Sequence, residues 1–261
     1  MKIRLGMDRN DRRKTLSALR EPKLEEARQF LMERTQGLSP IAPYFQEERY
    51  DTKDGDYCVT RFDVTPFRGA KSVQDVFLAL QQAIFNAEII ISETSGNITI
   101  REDDDLGDSN LSHMRFMSES SLGVQLETNL VLFLDRPQCE MKDVDYAENG
   151  RYTIMALDFV DEDKKYPYKP NKRIRRDFTT MTMISSYQDH TAGIEGEGEL
   201  VVVITRWAAT IVRRPSNSIS SRVWDELRNF HHRWPDLMLN CVRQTLGLSA
   251  LNLAVPKVSV L

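Results

Sequence analysis

GELVVVITRWAATIVRR, residues 198–214, carries both the fold and the question of function. Leu200 to Ile204 is apolar and mostly β-branched, the composition of a strand inside a sheet. Arg206 then stands between Thr205 and Trp207, and the apolar run resumes at Ala208. Side chains alternate across a strand, so Val202, Ile204, Arg206 and Ala208 share one face, with Val201, Val203, Thr205 and Trp207 on the other. An unpaired guanidinium in an apolar interior is prohibitively costly. The run therefore predicts an inward Arg206 with a carboxylate mate, or an outward one whose aliphatic stem lies along the sheet. Asp158, in IMALDFV, is the expected mate because it interrupts another apolar strand on the face of Ile154, Ala156 and Val160. Asp177, after Arg175 and Arg176, is a second candidate, expected to be more exposed.

Outward from this run the pattern is mostly β. Strands are expected at 56–64, 88–93, 97–102, 112–119, 122–135, 151–160 and 174–187, separated by clusters of Gly, Asn and Asp. SVQDVFLALQQAIFNA (72–87) switches to helical spacing, with Ser72 as its N-cap. A first helix is expected over 22–36, with Pro22 in the first helical position and Leu24, Ala27, Phe30 and Leu31 as its stripe. Ile219, Val223, Leu227, Phe230, Trp234, Met238 and Val242 predict one long terminal helix over 219–246, bent by Pro235 near His231. Hairpin-linked strands followed by a long amphipathic helix predict an α+β fold: a curved antiparallel sheet wrapped around the C-terminal helix. An elongated apolar space between sheet and helix is expected with it. The division expected is a basic N-terminal arm with a helix over 1–45, the sheet domain over 46–250 and a tail over 251–261.

Bulk properties narrow the function classes. The 261 residues are 41% hydrophobic and 28% charged, enough to bury a sizeable core. No apolar run approaches the roughly 18 residues of a membrane span. MKIRLGMDRNDRRK lacks a signal-peptide core, so an intracellular protein, cytoplasmic or nuclear, is expected. Cys58, Cys139 and Cys241 are far apart and read as free thiols. His113, His190, His231 and His232 have no metal-ligand spacing, and no cofactor is implied. Residues 1–23 hold eight Lys or Arg against three acids, about +5, so a net charge of −4 leaves about −9 elsewhere. The acidic body argues against nucleic acid as a partner of the main domain. The basic arm offers a surface for weak contact with nucleic acid or a peripheral membrane.

The ordered set AEIIISETSGNITIREDDDLGD (87–108), ALDFVDEDKKYPYKP (156–170), ELVVVITRWAATIVRRP (199–215) and RWPDLMLNCVRQTL (233–246) resembles a known family. It is similar to the START-like (steroidogenic-acute-regulatory-related lipid-transfer) domains, and most of all to the group abundant in oomycetes. The likeness spans roughly residues 56–247. It implies a helix-grip fold and a cavity for a lipid or sterol-like molecule, with an acidic and a basic side chain near the ligand's polar end. Asp158 and Arg206 take that part by resemblance. Members often carry a basic leucine zipper before the domain, but here heptads are not sustained and Pro22 interrupts them.

The candidate ligand-binding set is Arg206, Asp158, Ile204, Val202, Ala156, Met181, Met183, Trp234 and Met238. Thioethers adapt to irregular apolar shapes, which is why TTMTMISSY (179–187) is included. For each, plain core packing is the competing reading. REDDDLGD (101–108) lacks calcium-loop spacing and reads as an acidic hairpin tip. GxSxG, P-loop, HExxH and Gly-rich dinucleotide motifs are absent, so binding without catalysis is the expectation. A regulatory or scaffold module with a filled core is the rival, and an enzyme using the same cavity a weaker alternative. The size of the space under the terminal helix separates the first two.

Overall fold

The computed structural model describes residues 1–96, 98–104, 106–136, 152–191, 198–215, 219–230 and 234–250. The alternating segments form one eight-stranded sheet. Its strands are β2 (Tyr44–Asp51), β3 (Tyr57–Arg68), β4 (Thr99–Asp104), β5 (Leu111–Glu119), β6 (Gln125–Leu134), β7 (Tyr152–Phe159), β9 (Ile174–Asp189) and β10 (Glu199–Val212). Their spatial order is β2-β3-β10-β9-β7-β6-β5-β4, and every pair of neighbours is antiparallel. Among the described residues β7 pairs with Thr180 to Ser185 of β9, so the first residues of β9 reach past it. Ile174 and Arg175 there run parallel to Leu126 and Glu127 of β6. β1 (Arg4–Leu5) and β8 (Glu162–Asp163) make a separate parallel pair of two residues each.

Helices cover both faces. α2 (Val73–Phe85), α3 (Ala87–Ser95) and α5 (Trp234–Thr245) pack on the face that carries Phe67, Met114, Leu132, Met155, Ile184, Val202 and Ile204. α4 (Ser221–Phe230) buries Leu227 against Tyr57, Val59 and Val212 near the strand ends. The opposite face carries Phe62, Val131, Phe133, Ile154, Ala156, Met183, Val201 and Val203, and it is covered by α1 (Arg9–Arg34). This is the expected α+β, helix-grip arrangement with a further helix laid across the second face.

Several elements differ from the sequence expectation, among them β2 at the sheet edge, which follows Pro40 and Pro43 and was not expected as a strand. The first helix starts at Arg9 and not at 22, so Pro22 lies inside it. Asp8 caps it by accepting from the Asp11 amide. The early half is hard to read because its buried stripe includes cations: Arg12 and Lys23 are buried along with Leu16, Leu24, Ala27 and Leu31. Each finds an acid. Arg12 binds Asp163 and Asp104, and Lys23 binds Asp158. Anchorage on both sides of Pro22 keeps the helix continuous despite the missing backbone donor. Arg20 adds two bonds to the Leu134 carbonyl.

The expected strand at 88–93 is α3. Ile84, Ala87 and Ile91 recur at helical spacing and line the space beneath the helices. That burial outweighs the β preference of three consecutive isoleucines. Ser92 donates to the Glu88 carbonyl, and Gly96, with φ of 71°, ends the helix in the left-handed region. The terminal helix is described as two, α4 and α5; His231, His232 and the expected bend lie outside the described residues, as do Cys139 and the tail.

Candidate functional site

Between the sheet and its helices lies a cavity of about 80 Å³. The sheet floors it through one parity of each strand: Met114 and Phe116 of β5, Thr128 and Leu130 of β6, and Met155 and Leu157 of β7. β9 contributes Arg176, Phe178, Thr180 and Thr182, and β10 contributes Arg206, Ala208 and Thr210. Leu80 and Ile84 of α2, Ala87 and Ile91 of α3 and Met238 of α5 close it from above.

Arg206 points inward and reaches the wall. Its mate is Asp63 of β3, directly opposite in register, and not Asp158. Nε and Nη2 donate to Asp63 Oδ2 at 3.1 and 2.9 Å, and Nη2 also lies 3.2 Å from Oδ1. The chain of charge continues: Arg61 Nε is 3.3 Å from Asp63, and the Arg61 guanidinium also binds Asp236 in the first turn of α5. Two guanidiniums and two carboxylates thus tie β10, β3 and α5 together at the edge of the cavity. Phe45 lies over Arg61, its ring centroid 4.4 Å away.

Arg176 is the second guanidinium on the wall. Its Nε donates to Thr128 Oγ1 at 2.8 Å. Burial pushes it down to about 10. Asp177, the next residue, points to the other face by strand alternation. It is buried, contrary to the sequence expectation, and its carboxylate is held by Arg175 and Arg213.

The sequence-derived candidates divide between the two faces. Arg206 and Met238 meet in the cavity wall, while Val202 and Ile204 pack into the core of the same face. Asp158, Ala156, Met181 and Met183 lie on the α1 face. Asp158 binds Lys23 at 2.6 Å and accepts from Thr179. The reason is parity: Met155 stands opposite Thr182, and Thr182 opposite Arg206, so odd positions of β7 share the face of Arg206 and Asp158 does not. Trp234 begins α5, and its side chain lies outside the described residues. The residues missed were Asp63, Arg176, Thr128, Thr182 and the α2–α3 lining. Asp63 was within reach, because alternation in DYCVTRFDV already sets Arg61 and Asp63 on one face.

A second polar cluster sits beneath α1. Arg12, fully buried, donates to both Asp163 oxygens, to Asp104 and to the Gly6 carbonyl. His113 Nε2 lies 2.6 Å from Asn129 Oδ1, and Asn129 donates to Asp163. Burial lowers the pKa of His113. Burial alone would raise Asp163, but hydrogen bonds from Arg12 and Asn129 overcome it and lower it. The cluster is densely hydrogen-bonded and fastens α1 to the sheet. No group of three or more His, Cys, Asp or Glu able to hold a metal occurs among the described residues. No single described helix is long and apolar enough to cross a membrane.

No family model matches the chain, and no curated protein matches it. Two solved structures are similar in outline. One is an uncharacterized protein from Rhizobium leguminosarum, 10% identical over 79% of this chain and 98% of that one, with a TM-score of 0.32. The other is Ara h 8.0201, 6% identical over 72% of this chain and 99% of that one, with a TM-score of 0.28. The fold described above rests on its own strand order and helix placement.

Proposed function

We propose that this protein binds a small apolar or amphipathic molecule, without chemistry, in the cavity between its sheet and α2, α3 and α5. The observation that carries the reading is an apolar cavity with two guanidiniums, Arg206 and Arg176, on its wall. Apolar lining with a few placed polar groups is the ordinary composition of a ligand site. At about 80 Å³ it is smaller than the several hundred Å³ of a drug-sized pocket, so the ligand is small or slender, or it enters as the covering helices shift. A lipid or sterol-like class, drawn from the START-like resemblance, belongs to this proposal, and a slender acyl chain suits the volume better than a sterol.

Methyl NMR of the methionines tests it. Met114, Met155 and Met238 line the cavity, whereas Met181 and Met183 belong to the α1 face and serve as internal controls. Titration with 1-octanol is expected to shift the first three methyl signals and leave the other two in place. Shifts of all five together, or of none, contradict cavity binding.

A further inference from the structure

We propose that the cleft between α1 and the connection from β4 to β5 binds a phosphate monoester with a polar body, its phosphate received by Arg13, Lys14, Ser17 and Ser109. The cleft belongs to the α1 side of the sheet, where Leu106 of the same connection is buried in the core. It is independent of the cavity on the other face.

The first support is the shape and its free donors. The cleft has a volume of about 510 Å³ and is lined by Arg13, Lys14 and Ser17 of α1 and by Gly107, Asp108 and Ser109. That is room for a small organic molecule and not merely for an ion. Arg13 and Ser17 are four residues apart, so they stand on one side of the helix. The other cations of this helix hold the fold together: Arg12 binds Asp163, Arg20 the Leu134 carbonyl and Lys23 Asp158. Arg13 and Lys14 are exposed and make no ion pair or hydrogen bond with a described residue. The same holds for the hydroxyls of Ser17 and Ser109.

The second support is charge. Arg136 adds a third cation at the edge of the cleft, where its Nη2 donates to the Ser109 carbonyl at 2.8 Å and its Nε to Asn110 Oδ1 at 3.2 Å. Asp108 is the one acid of the lining among the described residues, and its Oδ1 accepts from the Asn110 amide at 2.9 Å. Three cations against one carboxylate favour an anion, in a chain whose net charge of −4 otherwise repels one. The third support is the kind of donor. A guanidinium fork, an ammonium and two hydroxyls converge from two elements, which is more than the two oxygens of a carboxylate can use. The three terminal oxygens of a phosphate monoester can accept from all of them. The lining carries no aliphatic or aromatic side chain, and the Asp108 carboxylate can accept from ligand hydroxyls, so the rest of the ligand is polar.

Isothermal titration of the full chain near neutral pH with glucose 6-phosphate, gluconate and glucose tests the inference. Glucose 6-phosphate is expected to bind at least about ten-fold more tightly than gluconate, with glucose weakest. The double variant Arg13→Gln, Lys14→Gln is expected to lower its affinity at least about ten-fold. Lys53→Gln, Lys71→Gln removes the same charge from exposed positions elsewhere and is expected to change it less than about two-fold. Equal losses in the two double variants mean general attraction and overturn the site. Equal binding of gluconate and glucose 6-phosphate overturns the preference for phosphate. A lipid headgroup presents the same group, so flotation with phosphatidate vesicles is run alongside. Flotation that is lost in Arg13→Gln, Lys14→Gln, without binding of glucose 6-phosphate, assigns the phosphate to a lipid and overturns the polar body. Binding of neither overturns the proposal and leaves the cavity reading standing. The comparison of ligands on the natural chain needs no variant, so it decides the preference even where a variant does not fold.

Discussion

Arg206 on β10 and Asp63 on β3 stand directly opposite one another, joined through Nε and Nη2 of the guanidinium to both carboxylate oxygens. The pair resolves the apparent contradiction of a charge inside an apolar strand. A buried pair of this kind is weak evidence for net stabilisation, yet breaking it strands a charge. It fixes the register of β3 against β10 and gives the cavity one closed electrostatic edge.

Asp63→Asn is expected to cost about 3–5 kcal/mol, because two buried guanidiniums, Arg206 and Arg61, lose their shared carboxylate. Urea denaturation measures this as a lowered midpoint. Asp158→Asn breaks the Lys23 contact instead, and the cavity-face methionine signals should stay in place. If Asp158→Asn disturbs Met155 and Met238 as much as Asp63→Asn does, the facing of these acids is wrong.

Removal of residues 1–34 should prevent a stable fold. It deletes α1 and uncovers Val131, Phe133, Ile154, Ala156 and Val203 on one continuous face. An exposed apolar area of that kind leads to aggregation. A truncated chain that stays monomeric and melts at the same temperature as the full chain would show that α1 is a dispensable arm.

His113 makes stability depend on pH in a stated direction. Its folded pKa lies below the ordinary value of 6.5, because burial disfavours the imidazolium. The unfolded chain therefore binds more protons as pH falls below about 6.5, and linkage lowers folding stability there. The contribution is complete above that pH and is lost as pH falls towards the folded pKa. Asp163 and Asp104, both lowered, add losses at pH below about 4. In His113→Gln the slope of unfolding free energy between pH 7 and 5 should flatten; an unchanged slope excludes His113 as its source.

Leu130→Ala should enlarge the cavity from its sheet side at a cost of about 2–5 kcal/mol. The larger space is expected to move preference along a series of n-alkanols towards longer chains, measured by titration. A preference that does not move places the bound molecule away from Leu130.

Much of the fold was legible in local pattern. β10 emerged at 199–212 from its β-branched run, and α2 from Ser72 and its 3.6-residue spacing. What failed did so for physical reasons. Arg12 and Lys23 occupy buried positions of α1, and a cation reads as solvent-facing until its acid is known. Ile89, Ile90 and Ile91 favour a strand locally, but they lie in a helix that buries Ala87 and Ile91 over the sheet and leaves Ile89 exposed. The inward facing of Arg206 followed from alternation, but the choice of Asp158 over Asp63 needed register. One position of parity along β7 moves a side chain through the sheet, and no single strand carries that information.

Native mass spectrometry after exposure to a complex lipid extract tests cavity binding most directly, run side by side on the natural chain and on Ala208→Phe. Ala208 is on the cavity wall, so the added ring fills the space from the sheet side. Cavity binding predicts a discrete ligand adduct on the natural chain and bare protein mass for the filled variant. Bare mass for both, or equal adducts on both, would contradict it.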